Sequence, residues 1–294
     1  MTNQFAAYNL SQPILDALTL LGYTTPTPIQ EAVIPAALNG RDIAARSQTG
    51  TGKTLAFAVP ICEKAVWEEN LPQALVLEPT RELAVQVSRE LFQVGRKKRL
   101  KVPAVFGGFP IDKQIRTLKQ KSHIVVGTPG RVMDHLRRGS LCLSTVRFLV
   151  IDEADLMLDM GFLEDVQQIL SMLPNHRTTF LFSATLDGRV QELTEAAVSE
   201  AVFISMEDEV KAPPAIEQSV YQVLQEEKYG GFKNILIKEN PDRCMIFCGT
   251  REMVNVLFQK LRRDRIFCGM IHGEMEQAER LKHVDAFRQG GFRY

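Results

Sequence analysis

The chain is 294 residues long, which at roughly 150 residues per domain predicts about two domains, each able to bury a core. Hydrophobic residues make up 45% and charged residues 24%, which excludes disordered, collagen-like and coiled-coil classes. Lys+Arg and Asp+Glu both number 35, so the chain is not a generally basic nucleic-acid binder. A local basic patch stays open, and zero net charge gives little protection against self-association.

No apolar run reaches the roughly 18 residues of a membrane span, so no membrane partner is expected. The opening MTNQFAAYNLSQP has neither the basic start nor the apolar centre of a secretory signal. Five scattered cysteines, Cys62, Cys142, Cys244, Cys248 and Cys268, fit reduced thiols in the cytoplasm. Cys244 and Cys248 lack a second Cys/His pair at zinc spacing, and read as buried strand residues rather than metal ligands.

In chain order, apolar runs at 42–46, 74–78, 102–106, 123–127, 148–152, 179–182 and 202–205 predict strands buried on both faces. Helical patterns lie between them, as over 82–94, where Leu83, Val87, Leu91 and Val94 share a face. Strand–helix alternation predicts a parallel sheet with helices on both sides. The alternation breaks at 206–215, MEDEVKAPPA, which predicts an extended linker. A second alternation predicts strands at 218–223, 243–248 and 266–271, with 292–294 opening another.

After the first strand, Ser47-Gln48-Thr49-Gly50-Thr51-Gly52-Lys53-Thr54 precedes a helical pattern. Gly50 and Gly52 let the backbone curl its N–H groups inward onto phosphate oxygens, and the helix adds its positive N-terminus. Lys53 would reach the β- and γ-phosphates, and Thr54 would offer a hydroxyl to Mg²⁺. Ser47 stands where Gly or Ala is usual. The fifth strand ends in Asp152-Glu153-Ala154-Asp155, at the edge where ligands of parallel sheets bind. Asp152 would hold Mg²⁺, partly through water, and Glu153 would orient and polarise the attacking water. Helix capping is the plain alternative for such acidic residues, but together with the phosphate loop they point to an NTPase. Ser183-Ala184-Thr185 follows the next strand, and its hydroxyls would bond Asp155 and couple the nucleotide site to other surfaces.

The ordered set Gln30, SQTGTGKT, PTREL, Gly107-Gly108, TPGR, DEAD and SAT resembles the DEAD-box family of ATP-dependent RNA helicases, from Phe5 to Tyr294. The resemblance implies an α/β fold, a RecA-like parallel sheet sandwiched by helices followed by part of a second RecA-like domain. It sets the domains at 1–206 and 216–294 with a linker at 207–215. It implies ATP and Mg²⁺ as cofactors, single-stranded RNA or a short duplex as partner, and RNA remodelling driven by ATP hydrolysis, in ribosome assembly or RNA metabolism. In GYTTPTPIQ, Gln30 would pair with the adenine edge, Tyr23 would stack on the ring, and Phe5 would brace the loop.

By the same resemblance, Pro79, Thr80 and Arg81, then Gly107 and Gly108, then Thr128, Gly130 and Arg131 would contact RNA backbone, with little sequence preference. The run 95–101, GRKKRLK, reads as a solvated face. In the second domain Thr250 of MIFCGTR would contact RNA, with Gly249 standing where a larger polar or basic residue is common. Gln277 and Arg280 would serve RNA and domain packing, and His272 reads as structural. The family's later Thr-Asp and His-Arg-Gly-Arg motifs are not in the sequence. The expectation is therefore a C-terminally truncated helicase whose half-built second sheet favours self-association. The alternative is a nucleotide- and RNA-binding fragment without productive turnover. LKQKSHIVVGTPGR is similar to bacterial ribosome-assembly members of DbpA type, which would make ribosomal RNA the partner.

Overall fold

The computed structural model describes residues 3–48, 50–206 and 217–294. Thr49 and the linker expected at 207–215 lie outside the described residues. The chain divides into two compact units, Met1–Lys211 and Ala212–Tyr294. Among the described residues no helix is long and apolar enough to cross a membrane.

The first unit contains, in order, α1 (Gln12–Leu20), α2 (Pro28–Leu38), β1 (Ile43–Arg46), α3 (Lys53–Lys64), β2 (Ala74–Leu77), α4 (Arg81–Gly95), β3 (Ala104–Val105), α5 (Ile111–Leu118), β4 (Ile124–Gly127) and α6 (Pro129–Arg137). It continues with β5 (Phe148–Ile151), α7 (Ala154–Asp159), α8 (Leu163–Met172), β6 (Thr178–Ser183), α9 (Gly188–Ala197) and β7 (Val202–Ser205). The seven strands form one sheet in the order β3-β4-β2-β5-β6-β1-β7. Every neighbouring pair is parallel. This is the RecA-like arrangement expected from the sequence.

The inner strands are apolar throughout because both faces are covered. Val76, Val150 and Phe180 face one helical layer, with Phe57, Val59, Val87 and Leu91. Leu75, Leu77, Leu149 and Ile151 face the other, with Met157, Val166 and Ile169. Each such fully buried side chain contributes about 1.5–3 kcal/mol. The edge strand β7 alternates instead, leaving Phe203 exposed. β3 is shorter than the apolar run 102–106 suggests. Pro103 has no N–H to give to a ladder, so pairing with β4 is limited to Ala104 and Val105.

Run 95–101 is only partly the solvated face expected. Arg96, Lys97 and Arg99 are exposed, but Lys98 donates from Nζ to the carbonyls of Cys62, Glu63 and Ala65 at 2.6–2.9 Å. It satisfies the free carbonyls at the end of α3.

The second unit holds α10 (Lys228–Glu239), α11 (Arg251–Arg263) and α12 (Gln277–Arg288). Its predicted strands at 218–223, 243–248 and 266–271 are not formed, and among its described residues no strand is assigned. The last two residues lie between two of these segments: Cys244 N donates to Arg293 O at 2.8 Å, and Gly269 N to Tyr294 O at 2.9 Å. One bond on each side is too few for a ladder. Residues 217–224 are exposed throughout, with no layer to cover them. Cys244 and Cys248 are accordingly half-buried, not the buried strand residues expected, while Cys268 is buried. The core of this unit is small, built on Leu236, Leu261 and Cys268.

Candidate active site and nucleic-acid interface

Because the sheet is parallel, the loops after β1, β2, β4, β5 and β6 all emerge from one edge, the edge where such sheets bind ligands. Strand order sorts them into two neighbouring groups. The loops after β1, β5 and β6 carry 47–54, Asp152–Asp155 and Ser183–Thr185. The loops after β3, β4 and β2 carry Gly107-Gly108, Thr128–Arg131 and Pro79–Arg81.

In the first group, Gly52 caps α3 in the left-handed region (φ 96°), with Lys53 as the first helical residue. Lys53 Nζ lies 2.7 Å from Glu153 Oε1 and 3.7 Å from Asp152 Oδ1, and donates to Ser47 O at 3.4 Å. Lys53 and Asp152 are each 5% exposed. Burial raises the Asp152 carboxyl to about 6, against the lowering effect of Lys53. A carboxylate short of solvation, together with a hydroxyl such as that of Thr54 in the first turn of α3, is a donor set suited to a hard divalent cation that also takes phosphate oxygens and water. The described residues offer no cluster of three or more His, Cys, Asp or Glu for a fully protein-held metal. Such a cage is not what Mg²⁺ requires.

Glu153 adopts a left-handed backbone (φ 50°), uncommon for a residue with a Cβ. Its N–H donates to Asp152 Oδ1 at 2.9 Å. Both carboxylates face Lys53, Glu153 Oε1 at 2.7 Å and Asp152 Oδ1 at 3.7 Å.

Gln30 is 4% exposed and is the N3 residue of a capping box on α2. Its Oε1 accepts from Thr27 N at 3.0 Å, and its Nε2 donates to Gly52 O at 3.1 Å. Each end keeps one further proton or lone pair for a base edge. Thr27 adds a second tie, donating to Thr51 O at 2.9 Å. A Cβ on Gly52 would clash with Gln30 Nε2, so this glycine is required for the contact as well as for its φ. Phe5 is fully buried and Gln4 N donates to Thr24 O at 2.9 Å, beside the half-exposed Tyr23.

Asp155 Oδ2 accepts from Thr185 N at 3.0 Å and from Thr185 Oγ1 at 3.1 Å. The Ser183 hydroxyl also bonds Asp155, as expected, accepting from its backbone N at 3.3 Å. Ser183 is fully buried at the end of β6.

In the second group, Thr80 caps α4, accepting from Leu83 N at 3.3 Å. The Arg81 guanidinium lies against Gly107 and Gly108, close enough that a Cβ on Gly108 would clash with it. Thr128 is the N-cap of α6, and Gly130 lies in its first turn. Arg131 Nη1 donates to Phe109 O at 3.0 Å. Pro79, Thr80, Arg81, Gly107, Gly108, Thr128, Gly130 and Arg131 thus come together in one unit. In the second unit, Thr250 caps α11 and accepts from Met253 N at 3.2 Å. Gln277, buried, opens α12, and the half-buried Arg280 lies one turn on.

Residue-type reasoning passed over Glu78, which follows β2 where the two groups meet. Pairing of Leu77 with Ile151 sets it beside Asp152. It is fully buried, and both carboxyl oxygens lack a hydrogen-bond partner among the described residues. Burial, and then the charges of Asp152 and Glu153, push its carboxyl well above the usual range. A charged residue closing an apolar strand at the ligand edge was the available signal.

A family model described as DEAD/DEAH box helicase matches residues 27–193, and one described as helicase conserved C-terminal domain matches 227–294. The chain is 49% identical over 292 residues to the ATP-dependent RNA helicase DbpA of Bacillus subtilis, covering 99% of the chain and 61% of that protein. It is 40% identical to the DEAD-box ATP-dependent RNA helicase CshA of Geobacillus kaustophilus, covering 97% of the chain and 61% of that protein. The chain therefore spans about three-fifths of the length of these relatives. Among solved structures, Dbp5 of S. cerevisiae bound to RNA and ADP BeF3 aligns with TM-score 0.88 at 28% identity, over 99% of this chain and 75% of that one. A DEAD box protein from Methanococcus jannaschii aligns with TM-score 0.66 at 38% identity, over 97% of this chain and 77% of that one.

Proposed function

Because the chain belongs to the DEAD/DEAH box helicase family, we propose that it acts as an ATP-dependent RNA helicase, remodelling short RNA duplexes at the expense of ATP. The carrying observation is the meeting of Lys53, Asp152 and Glu153 at one sheet edge, beside the loops of Arg81, Gly108 and Arg131. Thr54 and Asp152 would hold Mg²⁺, which when bound neutralises phosphate charge. Residues 47–54 bind the phosphates through backbone N–H groups and Lys53. Arriving phosphates draw Lys53 away from Glu153, and the freed carboxylate orients a water and takes its proton. Gln30 and Tyr23 select the adenine.

RNA backbone binds across Thr80, Arg81, Gly107, Gly108, Thr128, Gly130 and Arg131 of the first unit; Thr250, Gln277 and Arg280 are proposed RNA contacts of the second unit taken by itself. Ribosomal RNA is the proposed target, a reading supported by the 49% identity to DbpA. The cytoplasm, where free thiols persist, is the proposed compartment. The exposed Val220, Phe247 and Phe267 of the second unit support self-association. The test is displacement of a labelled strand from a short RNA duplex. Release with ATP and none without nucleotide supports the reading; nucleotide-independent release, or none at all, contradicts it.

A further inference from the structure

Two adjacent glycines carry more backbone freedom than any other pair, so a Gly107-Gly108 loop that presents its backbone to a ligand must be held from outside. Its far end is tied by Arg131 Nη1 to Phe109 O. Its near end is tied by Gln114 of α5, whose Nε2 donates to Phe106 O at 2.9 Å. Gln114 is 4% exposed and is itself fixed: its Oε1 lies 3.1 Å from His135 Nε2. His135, fully buried on α6, has its Nδ1 2.8 Å from Ser140 Oγ.

The bond from Gln114 to Phe106 O fixes one proton of the ring. Since Gln114 gives its amide hydrogen to Phe106 O, its oxygen faces the imidazole, and His135 Nε2 must carry a proton. Nδ1 then accepts from the Ser140 hydroxyl. If Nδ1 were protonated, the hydroxyl would accept from it and turn to His135 O, 3.1 Å away. The relay stays satisfied in either state. The ring bridges α6, which carries Thr128, Gly130 and Arg131 at its start, to the entry of the glycine loop.

We propose that Gln114, held by His135 and Ser140, is a positioning residue for RNA: it fixes the Gly107-Gly108 backbone relative to Arg81 and Arg131. This rests on the reading of that loop as an RNA contact. Nothing in the relay touches Lys53, Asp152 or Glu153, so its loss should alter RNA half-saturation alone.

The test is the concentration of single-stranded oligouridylate that half-saturates stimulation of ATP hydrolysis, read with kcat and the KM for ATP. Gln114→Leu keeps side-chain volume and removes both bonds. It should raise RNA half-saturation about tenfold, or about 1.4 kcal/mol, with RNA-saturated kcat and the KM for ATP within about twofold. Arg81→Ala, run alongside, reports on the RNA reading itself. If Arg81→Ala has no effect, that reading fails and the proposal falls with it. If Arg81→Ala raises half-saturation and Gln114→Leu does not, the relay alone is overturned. A parallel loss of kcat and ATP affinity would make Gln114 merely structural and would also overturn it. Should Gln114→Leu not fold, Ser140→Ala releases only the far end of the relay. It should raise half-saturation about threefold, the worth of one hydrogen bond; no shift there contradicts the proposal.

Discussion

Glu78 sits beside Asp152 where β2 and β5 end, and neither of its carboxyl oxygens has a hydrogen-bond partner among the described residues. Burial and the neighbouring carboxylates favour its neutral form. The sign of the pH effect follows. Below the ordinary glutamate value of 4.5, the carboxyl is mostly protonated in folded and unfolded chains alike. At higher pH the unfolded chain ionises it while the fold resists, so stability falls as pH rises. Glu78→Gln removes the ionisation. In denaturant unfolding it should match the native protein below pH 4.5 and be more stable by about 1–3 kcal/mol at pH 8. A difference independent of pH would contradict this account.

Lys53 Nζ lies 2.7 Å from Glu153 Oε1. If phosphates replace that partner, Lys53→Ala should weaken ATP binding about 10–100-fold, the worth of lost charge-assisted bonds. Equilibrium titration with a fluorescent ATP analogue measures it. Unchanged affinity would remove Lys53 from the phosphate site.

Gln30 shares its amide between Thr27 N and Gly52 O. Gln30→Ala should therefore cost about 1–2 kcal/mol of stability and erase most of the preference for ATP over GTP. Competition binding by the two nucleotides reads the second effect. A preference that survives the substitution sinks the adenine assignment.

Thr185 gives two hydrogen bonds to Asp155 Oδ2. Thr185→Ala removes the hydroxyl bond and keeps the backbone one. If the pair couples hydrolysis to RNA, ATP turnover should stay within about threefold, the worth of one hydrogen bond, while duplex separation falls further. Equal losses in the two assays would assign Thr185 to hydrolysis itself.

Much of the first unit is legible in its residue pattern, since strands buried on both faces must be apolar throughout, as 74–77 and 148–151 are. Pro103 shortens β3 for a reason visible in the sequence. The capping box of Thr27 and Gln30 was equally readable, and it explains why Gln30 is buried against Gly52. The left-handed φ of Glu153 is set by tertiary packing and leaves no trace in composition. Neither do the partners of Gln114, which lie 8 and 21 residues away. In the second unit the apolar runs at 243–248 and 266–271 have strand character, but among the described residues each gains a single backbone bond from residues 293 and 294. Local propensity cannot supply the partner that a strand needs.

We propose Glu153 as the residue that activates water at a site stimulated by RNA. Steady-state ATP hydrolysis, with and without single-stranded RNA, tests it most directly in the native protein and in Glu153→Gln. RNA-stimulated turnover is expected in the native protein, with a loss of about 10²–10⁴-fold in the variant and ATP binding retained. Turnover by Glu153→Gln near the native rate, or hydrolysis indifferent to RNA, would contradict it.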